Sequence, residues 1–150
     1  MKPELESVAI SLDVGSRRIG VAWGDTKIKI ASPLPAIVND GQALEGILAL
    51  VRDMQPSIIV IGLPRGNNGK ETAQSDFTRQ FASSLKNTLA LNSLDEIELV
   101  WQDESLTSVL AEERLRQKKD FNERMLRDGT LDSEAAVIIL TDFLEEVGRG

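Results

Sequence analysis

The 150-residue chain contains no cysteine, no histidine and no tyrosine. Without cysteine it can form neither disulfides nor a thiolate metal site, and nothing in it indicates secretion. Without histidine it cannot contain a Ser–His–Asp or Cys–His catalytic site or a histidine-ligated zinc site. A hydrolase of this composition must use carboxylates, Lys, Ser or Thr, or a water molecule activated by a hard metal ion.

Long apolar segments are also missing. No run approaches the roughly 20 residues that a membrane-spanning helix requires, and the first segment, MKPELESVAI, lacks the basic and then apolar order of a signal peptide. We therefore expect a cytoplasmic protein with no membrane partner. The apolar content of 41% and the charged content of 27% are typical of globular proteins. Because repeats and linkers are lacking, the sequence predicts one domain over residues 1–150.

The net charge of −7 does not favour nonspecific attraction to nucleic acid, because phosphate binding depends on Lys and Arg. Basic residues are nevertheless clustered in two segments. The first cluster contains Arg17, Arg18, Lys27 and Lys29, and the second contains Arg114, Arg116, Lys118, Lys119, Arg124 and Arg127. Either cluster could bind phosphate groups, although an ordinary solvated surface explains the second equally well.

The first part of the chain is rich in strand patterns. Alternating apolar residues predict a β-hairpin within 8–25, with a turn at Gly15. A third strand is predicted in 27–38, and it is expected to end near Pro33 and Pro35.

The second part alternates helices with strands. Helices are predicted at 44–54 and through 77–89, and strands at 57–63 and 97–101. A third helix is predicted from Ser105 or Thr107, with Val109 and Leu110 in its apolar stripe. The last helix is predicted from Asp132, with Val147 in its apolar stripe. This order predicts an α/β fold with a mixed five-stranded sheet, three antiparallel strands followed by α/β crossovers, and helices on both faces. A central first strand would create a topological switch point, where such sheets bind ligands.

Asp13 ends an otherwise apolar strand. A carboxylate on a central strand is costly to bury unless a metal ion, Lys or Arg compensates its charge. Capping of the turn at Gly15 and Ser16 is the structural alternative. We expect Asp13 to take part in chemistry.

Asp103 and Glu104 could join Asp13, because they follow the strand that is predicted to end at Trp101. The carboxyl ends of parallel strands meet at one edge of a sheet. The spacing leaves open which of these two acids faces the site. A solvated turn is the alternative for both.

Asp132 is the third candidate. Steps from 132 to 136, 139 and 143 stay on the buried face of the last helix. Glu134 lies about 200° away around the helix and is expected to face solvent. Small side chains at Ala9 and Ser11 would let this helix approach Asp13 closely. A helix N-cap is the alternative role of Asp132.

Carboxylates that share a pocket repel one another, and Mg²⁺ or Mn²⁺, which prefer oxygen ligands, would compensate their charge. Two such ions about 3.5–4 Å apart can activate water and stabilise the leaving oxygen in phosphodiester hydrolysis. The residues therefore favour a metal-dependent nuclease, which needs no histidine.

Five ordered segments resemble the YqgF (RuvX) family, whose members are similar to Holliday junction resolvases and are described as pre-16S rRNA nucleases. The segments are LDVGSRRIGVA (12–22), ASPL (31–34), IVIGLPRGNNGKE (59–71), VWQDESLTSVLAEERL (100–115) and LDSEAAVIIL (131–140). The resemblance implies a ribonuclease H-like fold and metal-dependent cleavage of phosphodiester bonds, with Asp13, Glu104 and Asp132 as catalytic and metal-binding residues. Asp103 then becomes an auxiliary candidate.

The chain departs from the family at two positions. The family commonly has arginine where Ser105 stands and an apolar residue where Glu134 stands. Ser105 and Thr107 are most simply interpreted as helix N-caps.

The Gly/Asn-rich loop at 64–71 is suited to a substrate. Its glycines permit close backbone approach, and Arg65 and Lys70 could contact phosphate, as could Arg17 and Arg18. A helix that begins near Thr72 would add a favourable dipole for anions.

The expected function is processing of the 5′ end of pre-16S rRNA in ribosome biogenesis. The alternatives are a Holliday junction resolvase that acts on branched DNA, a noncatalytic nucleic-acid-binding module, and a nucleotide-binding phosphotransferase. Phosphotransferases with actin-like ATPase domains pair two of these domains around the nucleotide, whereas 150 residues provide only one.

Overall fold

The computed structural model describes residues 8–66, 68–104 and 107–149, with the backbone alone at 148–149. Its strands are β1 (Val8–Val14), β2 (Arg18–Asp25), β3 (Ile30–Val38), β4 (Ile58–Pro64) and β5 (Glu98–Glu104). Its α-helices are α1 (Ala43–Met54), α2 (Ala73–Leu91), α3 (Thr107–Arg116) and α4 (Thr130–Arg149), with a short 3₁₀ helix at Glu123–Leu126. The expectations for Ser105 concern a residue that lies outside the described part of the chain.

The strands form one sheet in the order β3-β2-β1-β4-β5. β1 pairs with β2 in antiparallel and with β4 in parallel orientation, and β5 is parallel to β4. The prediction of a mixed five-stranded sheet with a central first strand is therefore confirmed. The junction between β1 and β4 is the expected switch point.

Helices cover both faces of the sheet, as predicted. One face packs against α1 and α2 through branched side chains that include Ile10, Ile47 and Leu85. The other face carries the small residues Ala9 and Ala22 and packs against α4. Fully buried Ser11 donates a hydrogen bond of 2.6 Å to the carbonyl of Ala136, which confirms the close approach of this helix.

The prolines do not end β3, which continues to Val38. β3 is an edge strand, where an absent N–H is tolerated. Its register against β2 shifts between Ile19 and Val21, so that Pro35 lies in the irregular part of the ladder. The expectation that the strand stops at Pro33 and Pro35 was wrong for this reason.

β5 is longer than its apolar run predicts. It pairs with β4 beyond Trp101, with Leu63 opposite Asp103 and Pro64 opposite Glu104. Asp103 and Glu104 therefore lie in the strand and not in a turn after it. Their side chains alternate between the two faces of the sheet.

Glu134 does not face solvent, and that expectation is corrected. Its side chain is 1% exposed, and its carboxylate accepts hydrogen bonds from Arg114 Nε (2.9 Å) and Lys118 Nζ (3.0 Å). The reason is that α3 packs along α4 and covers the side of α4 that the sheet leaves open.

Several apolar residues of the predicted helical stripes are exposed instead of buried: Phe77, Val109, Leu110 and Val147. The buried residues of α3 are Thr107, Ala111 and Leu115. Within the described residues, no helix is both long and apolar enough to cross a membrane.

Candidate active site

A cavity of about 400 Å³ lies where β1, β4 and β5 end. Asp13, Glu104 and Asp132 all line it and are partly accessible from it. The other lining residues are Val14, Gly15, Ser16, Pro64, Arg65, Gln74, Thr107 and Ser108. The structure thus brings the three acidic residues of the sequence prediction to one cavity.

Asp13 is the central member of the set. Its partner across the β1–β2 ladder is Gly20. A Cβ atom at Gly20 would overlap the carbonyl oxygen of Asp132, so the backbone of α4 occupies the space that a side chain would fill. Asp132 lies beside Asp13 because this glycine admits the helix.

Glu104 reaches the same cavity from β5. A Cβ atom at Gly62 on β4 would lie 2.9 Å from Glu104 Oε1, so the carboxylate rests on the bare backbone of the neighbouring strand. The Thr107 side chain donates a hydrogen bond to Glu104. These contacts hold the carboxylate between α3 and the sheet.

Asp132 lies in the first turn of α4 and is not its N-cap. The carboxylate of Asp128 accepts hydrogen bonds from the Thr130 N–H (3.0 Å) and hydroxyl (2.7 Å) at the start of this helix. Asp132 is therefore free to face the cavity, and the alternative role as a cap is wrong.

The electrostatics of the three carboxyl groups reflect their confinement. Burial, followed by the charges of Glu104 and Asp132, raises the pKa of Asp13 from 3.8 to about 8. Burial also raises the pKa of Glu104, and the hydrogen bond from Thr107 opposes the shift. Burial raises the pKa of Asp132, and the positive charge of Arg18 opposes that shift.

The donor set has the chemistry of a hard divalent cation. It offers carboxylate oxygens alone, and the negative charges that raise the pKa of Asp13 would be relieved by a cation. Within the part of the chain that the structure describes, however, no three acidic side chains are already arranged as a metal-binding group. The side chains therefore have the atom types and the charge that such an ion requires, but their carboxylates do not form a complete coordination shell.

Arg65 lines the cavity, but its guanidinium is already engaged. It donates to Asp103 Oδ1 at 3.1 and 3.2 Å and lies 3.6 Å from Glu71 Oε2. Asp103 is exposed on the opposite face of β5 from Glu104 and does not line the cavity. The strand thus separates the two acids that the sequence left undecided.

The other predicted basic residues, Arg17, Arg18 and Lys70, do not line the cavity. Arg17 is exposed, and Arg18 is close enough to Asp132 to affect its pKa. Lys70 is exposed in the loop before α2. The predicted start of that helix is confirmed, because Thr72 and Ser75 form a reciprocal capping box.

Sequence reasoning did not single out Gln74 or Ser108, which also line the cavity. Gln74 Nε2 donates to the Val14 carbonyl at 3.1 Å and so ties α2 to the end of β1. A signal for Gln74 was present, since it follows the capping residue Thr72 at a helix terminus next to the glycine-rich loop. No comparable signal marked Ser108.

The sequence matches one protein family and curated relatives that share a single name. Residues 7–146 match the family model RuvX, described as Holliday junction resolvase. A "Putative pre-16S rRNA nuclease" of Sulfurihydrogenibium sp. (strain YO3AOP1) is 38% identical over 138 residues, which cover 92% of this chain and 90% of that protein. A protein of the same name from Roseiflexus sp. (strain RS-1) is 41% identical, covering 91% and 92%.

Solved structures share the fold at much lower identity. Thermus thermophilus RuvC in complex with a Holliday junction substrate has a TM-score of 0.58 at 11% identity, covering 96% of this chain and 97% of that chain. The fowlpox virus Holliday junction resolvase has a TM-score of 0.55 at 10% identity, covering 93% and 99%. The architecture is therefore the ribonuclease H-like fold of these resolvases.

Proposed function

The chain belongs to the RuvX family, and we propose from this premise that it is a nuclease that hydrolyses phosphodiester bonds in structured nucleic acid. The observation that carries the proposal is the cavity that Asp13, Glu104 and Asp132 share. Carboxylates in such a setting are suited to hold the cations that phosphodiester hydrolysis requires. No histidine is needed as a base, which agrees with the composition.

We infer that the resident cofactor is Mg²⁺ or Mn²⁺ and that Asp13, Glu104 and Asp132 hold it. When bound, such an ion activates water and stabilises the leaving oxygen. The carboxyl group of Asp13, with its pKa of about 8, retains a proton at neutral pH in the metal-free protein and must release it to act as a ligand.

The surrounding residues orient the three acids and the substrate. Thr107 holds Glu104 through its hydrogen bond, and Gly20 sets the position of the Asp132 backbone. We propose that Arg65, which lines the cavity, contacts a phosphate group of the substrate, and that Arg17, Arg18 and Lys70 provide further phosphate contacts.

The proposed substrate is the 5′ end of pre-16S rRNA, in the cytoplasm, as one step of ribosome biogenesis. The names of the relatives at 38% and 41% identity support this choice. Branched DNA is the second candidate, because the matching family model is described as Holliday junction resolvase. A noncatalytic nucleic-acid-binding module is the third.

A cleavage assay distinguishes these functions. The purified chain is incubated with a pre-16S rRNA fragment and with a four-way DNA junction, with Mg²⁺, with Mn²⁺ and with EDTA. We expect metal-dependent cleavage of the RNA, and Asp13→Asn should lower its rate by about 100-fold or more. Asp53→Asn, at an exposed site on α1, is the matched control and should cleave normally.

Each other outcome selects another function. Cleavage of the junction alone would identify a resolvase. Metal-independent binding of either substrate without cleavage would identify a binding module. Cleavage by Asp13→Asn at the normal rate would overturn the proposed site.

A further inference from the structure

The hydroxyl of Ser133 joins α4 to two strands of the sheet. It accepts a hydrogen bond from the Val21 N–H at 3.2 Å and donates one to the Leu34 carbonyl at 2.6 Å. Val21 and Leu34 are partners in the β2–β3 ladder, and Ser133 is 2% exposed. A single buried hydroxyl therefore bridges the ladder and anchors the first turn of the helix.

The anchor lies beside the place where β2 meets the helix backbone. Gly20, which precedes Val21, is the residue whose missing side chain admits the Asp132 carbonyl, and it is also the ladder partner of Asp13. Ser133 follows Asp132 directly in the chain. The two contacts thus fix consecutive helix residues against consecutive strand residues.

This arrangement sets the position of α4 against β2, the strand that pairs with the strand carrying Asp13. Consecutive side chains on a helix project about 100° apart, so holding Ser133 against β2 and β3 leaves Asp132 directed into the cavity that it shares with Asp13. We propose that Ser133 is a positioning residue, which keeps the Asp132 carboxylate directed into the cavity that it shares with Asp13, so that both can contribute to binding a divalent cation. The inference rests on the proposed function and deepens it.

Ser11 provides a matched control. Its hydroxyl also joins the sheet to α4, through the 2.6 Å hydrogen bond to the Ala136 carbonyl, and it is fully buried. Ser11→Ala removes a comparable contact one helical turn beyond the site. A merely structural role predicts the same effects for both variants, whereas a positioning role predicts different ones.

The experiment measures Mn²⁺ binding by calorimetry and, in parallel, cleavage as a function of Mg²⁺ concentration. We expect Ser133→Ala to weaken Mn²⁺ binding by about 10-fold or more, to raise the Mg²⁺ concentration for half-maximal cleavage similarly, and to recover most of its kcat at saturating Mg²⁺. Ser11→Ala should change these quantities by less than twofold. Ser133→Thr, which keeps the hydroxyl, should bind Mn²⁺ more tightly than Ser133→Ala.

Two further readouts keep the test decisive. Hydrogen exchange of the Val21 amide in the metal-free protein should be faster in Ser133→Ala, and urea unfolding should show that every variant is folded. Normal Mn²⁺ affinity of Ser133→Ala, or an equal loss in Ser11→Ala, overturns the positioning role while the nuclease proposal stands. Absence of Mn²⁺ binding and cleavage in the unmodified chain overturns both.

Discussion

The carboxylate of Glu104 rests against Gly62, a residue of the neighbouring strand with no side chain to displace it. A Cβ atom at Gly62 would lie 2.9 Å from Glu104 Oε1 and 2.5 Å from Ile139 Cδ1. Space for this acid therefore depends on another strand. The glycine is part of the site although it carries no functional group.

Gly62→Ala should displace Glu104 and crowd Ile139. We expect the free energy of unfolding in urea to fall by about 1–3 kcal/mol and the cleavage rate to fall well beyond what that loss of stability explains. Gly46→Ala is the control, because its new Cβ would be 3.6 Å or more from the nearest side chain and helix α1 favours alanine. Normal cleavage by folded Gly62→Ala would contradict the assigned position of Glu104.

Thr107→Val should change the pH dependence of cleavage. The hydrogen bond from Thr107 opposes the raised pKa of Glu104, so its removal should raise that pKa further. The acidic limb of the pH–rate profile should then move to higher pH. Thr78→Val, which removes the hydrogen bond of another buried threonine hydroxyl to the Gln74 carbonyl in α2, should leave the profile in place. An unmoved profile in Thr107→Val would refute the prediction.

The metal-free protein should lose stability as the pH rises. The pKa of Asp13 in the folded chain, about 8, lies above its ordinary value of 3.8, so between these values the folded state holds a proton that the unfolded state has lost. The contribution of Asp13 to stability is complete below pH 3.8 and declines until about pH 8. Urea unfolding in EDTA at pH 6 and pH 8 measures this decline, which Asp13→Asn should reduce; an equal slope in both proteins would exclude it.

Protons and cations compete for the same carboxylates. Stabilisation of the protein by Mg²⁺ should therefore increase as the pH rises, whereas the stability of the metal-free protein should fall. We expect the increase in melting temperature on addition of Mg²⁺ to be small at pH 6 and larger at pH 8. The Asp13→Asn protein should show little increase at either pH. A constant shift across this range in the unmodified chain would contradict the proposed metal site.

Glu134 should tolerate an apolar replacement of similar size. Its own side chain is 1% exposed, but Arg114 and Lys118 are 51% and 42% exposed and remain hydrated without it. We therefore expect Glu134→Leu to match the unmodified chain within about 1 kcal/mol or to exceed its stability. Glu134→Ala leaves a cavity between α3 and α4 and should be less stable than Glu134→Leu by about 2 kcal/mol. Urea denaturation of both variants tests the order.

The local periodicities predicted much of the site. Period-two alternation placed Asp13 at the end of a central strand, and helical spacing placed Asp132 on the face of α4 toward the sheet. Each inference depended on the periodicity of a single strand or helix and on the side of it that packs against the sheet or helix. The structure agrees with both, because Asp13 and Asp132 line one cavity and the small side chain of Ser11 lets α4 approach the sheet.

The features that the sequence did not predict depend on contacts between elements that are distant in the chain. β5 continues past Trp101 because β4 offers partners for Asp103 and Glu104, and an apolar run cannot reveal those partners. Glu134 is buried by α3, whereas a helical wheel considers only the sheet below α4. Ser133 satisfies two backbone groups of distant strands, a pairing that the sequence pattern does not contain.

The prolines of β3 have a consequence for how the chain behaves in a crowded solution. An outer strand with a full row of free amide groups is a template on which other chains can add and aggregate. Pro33 and Pro35 have no N–H group to offer on this edge strand, and the register shift against β2 interrupts the regular ladder beside it. The two prolines, which were expected to end β3, thus lie within it and disfavour pairing of this edge with strands of other molecules.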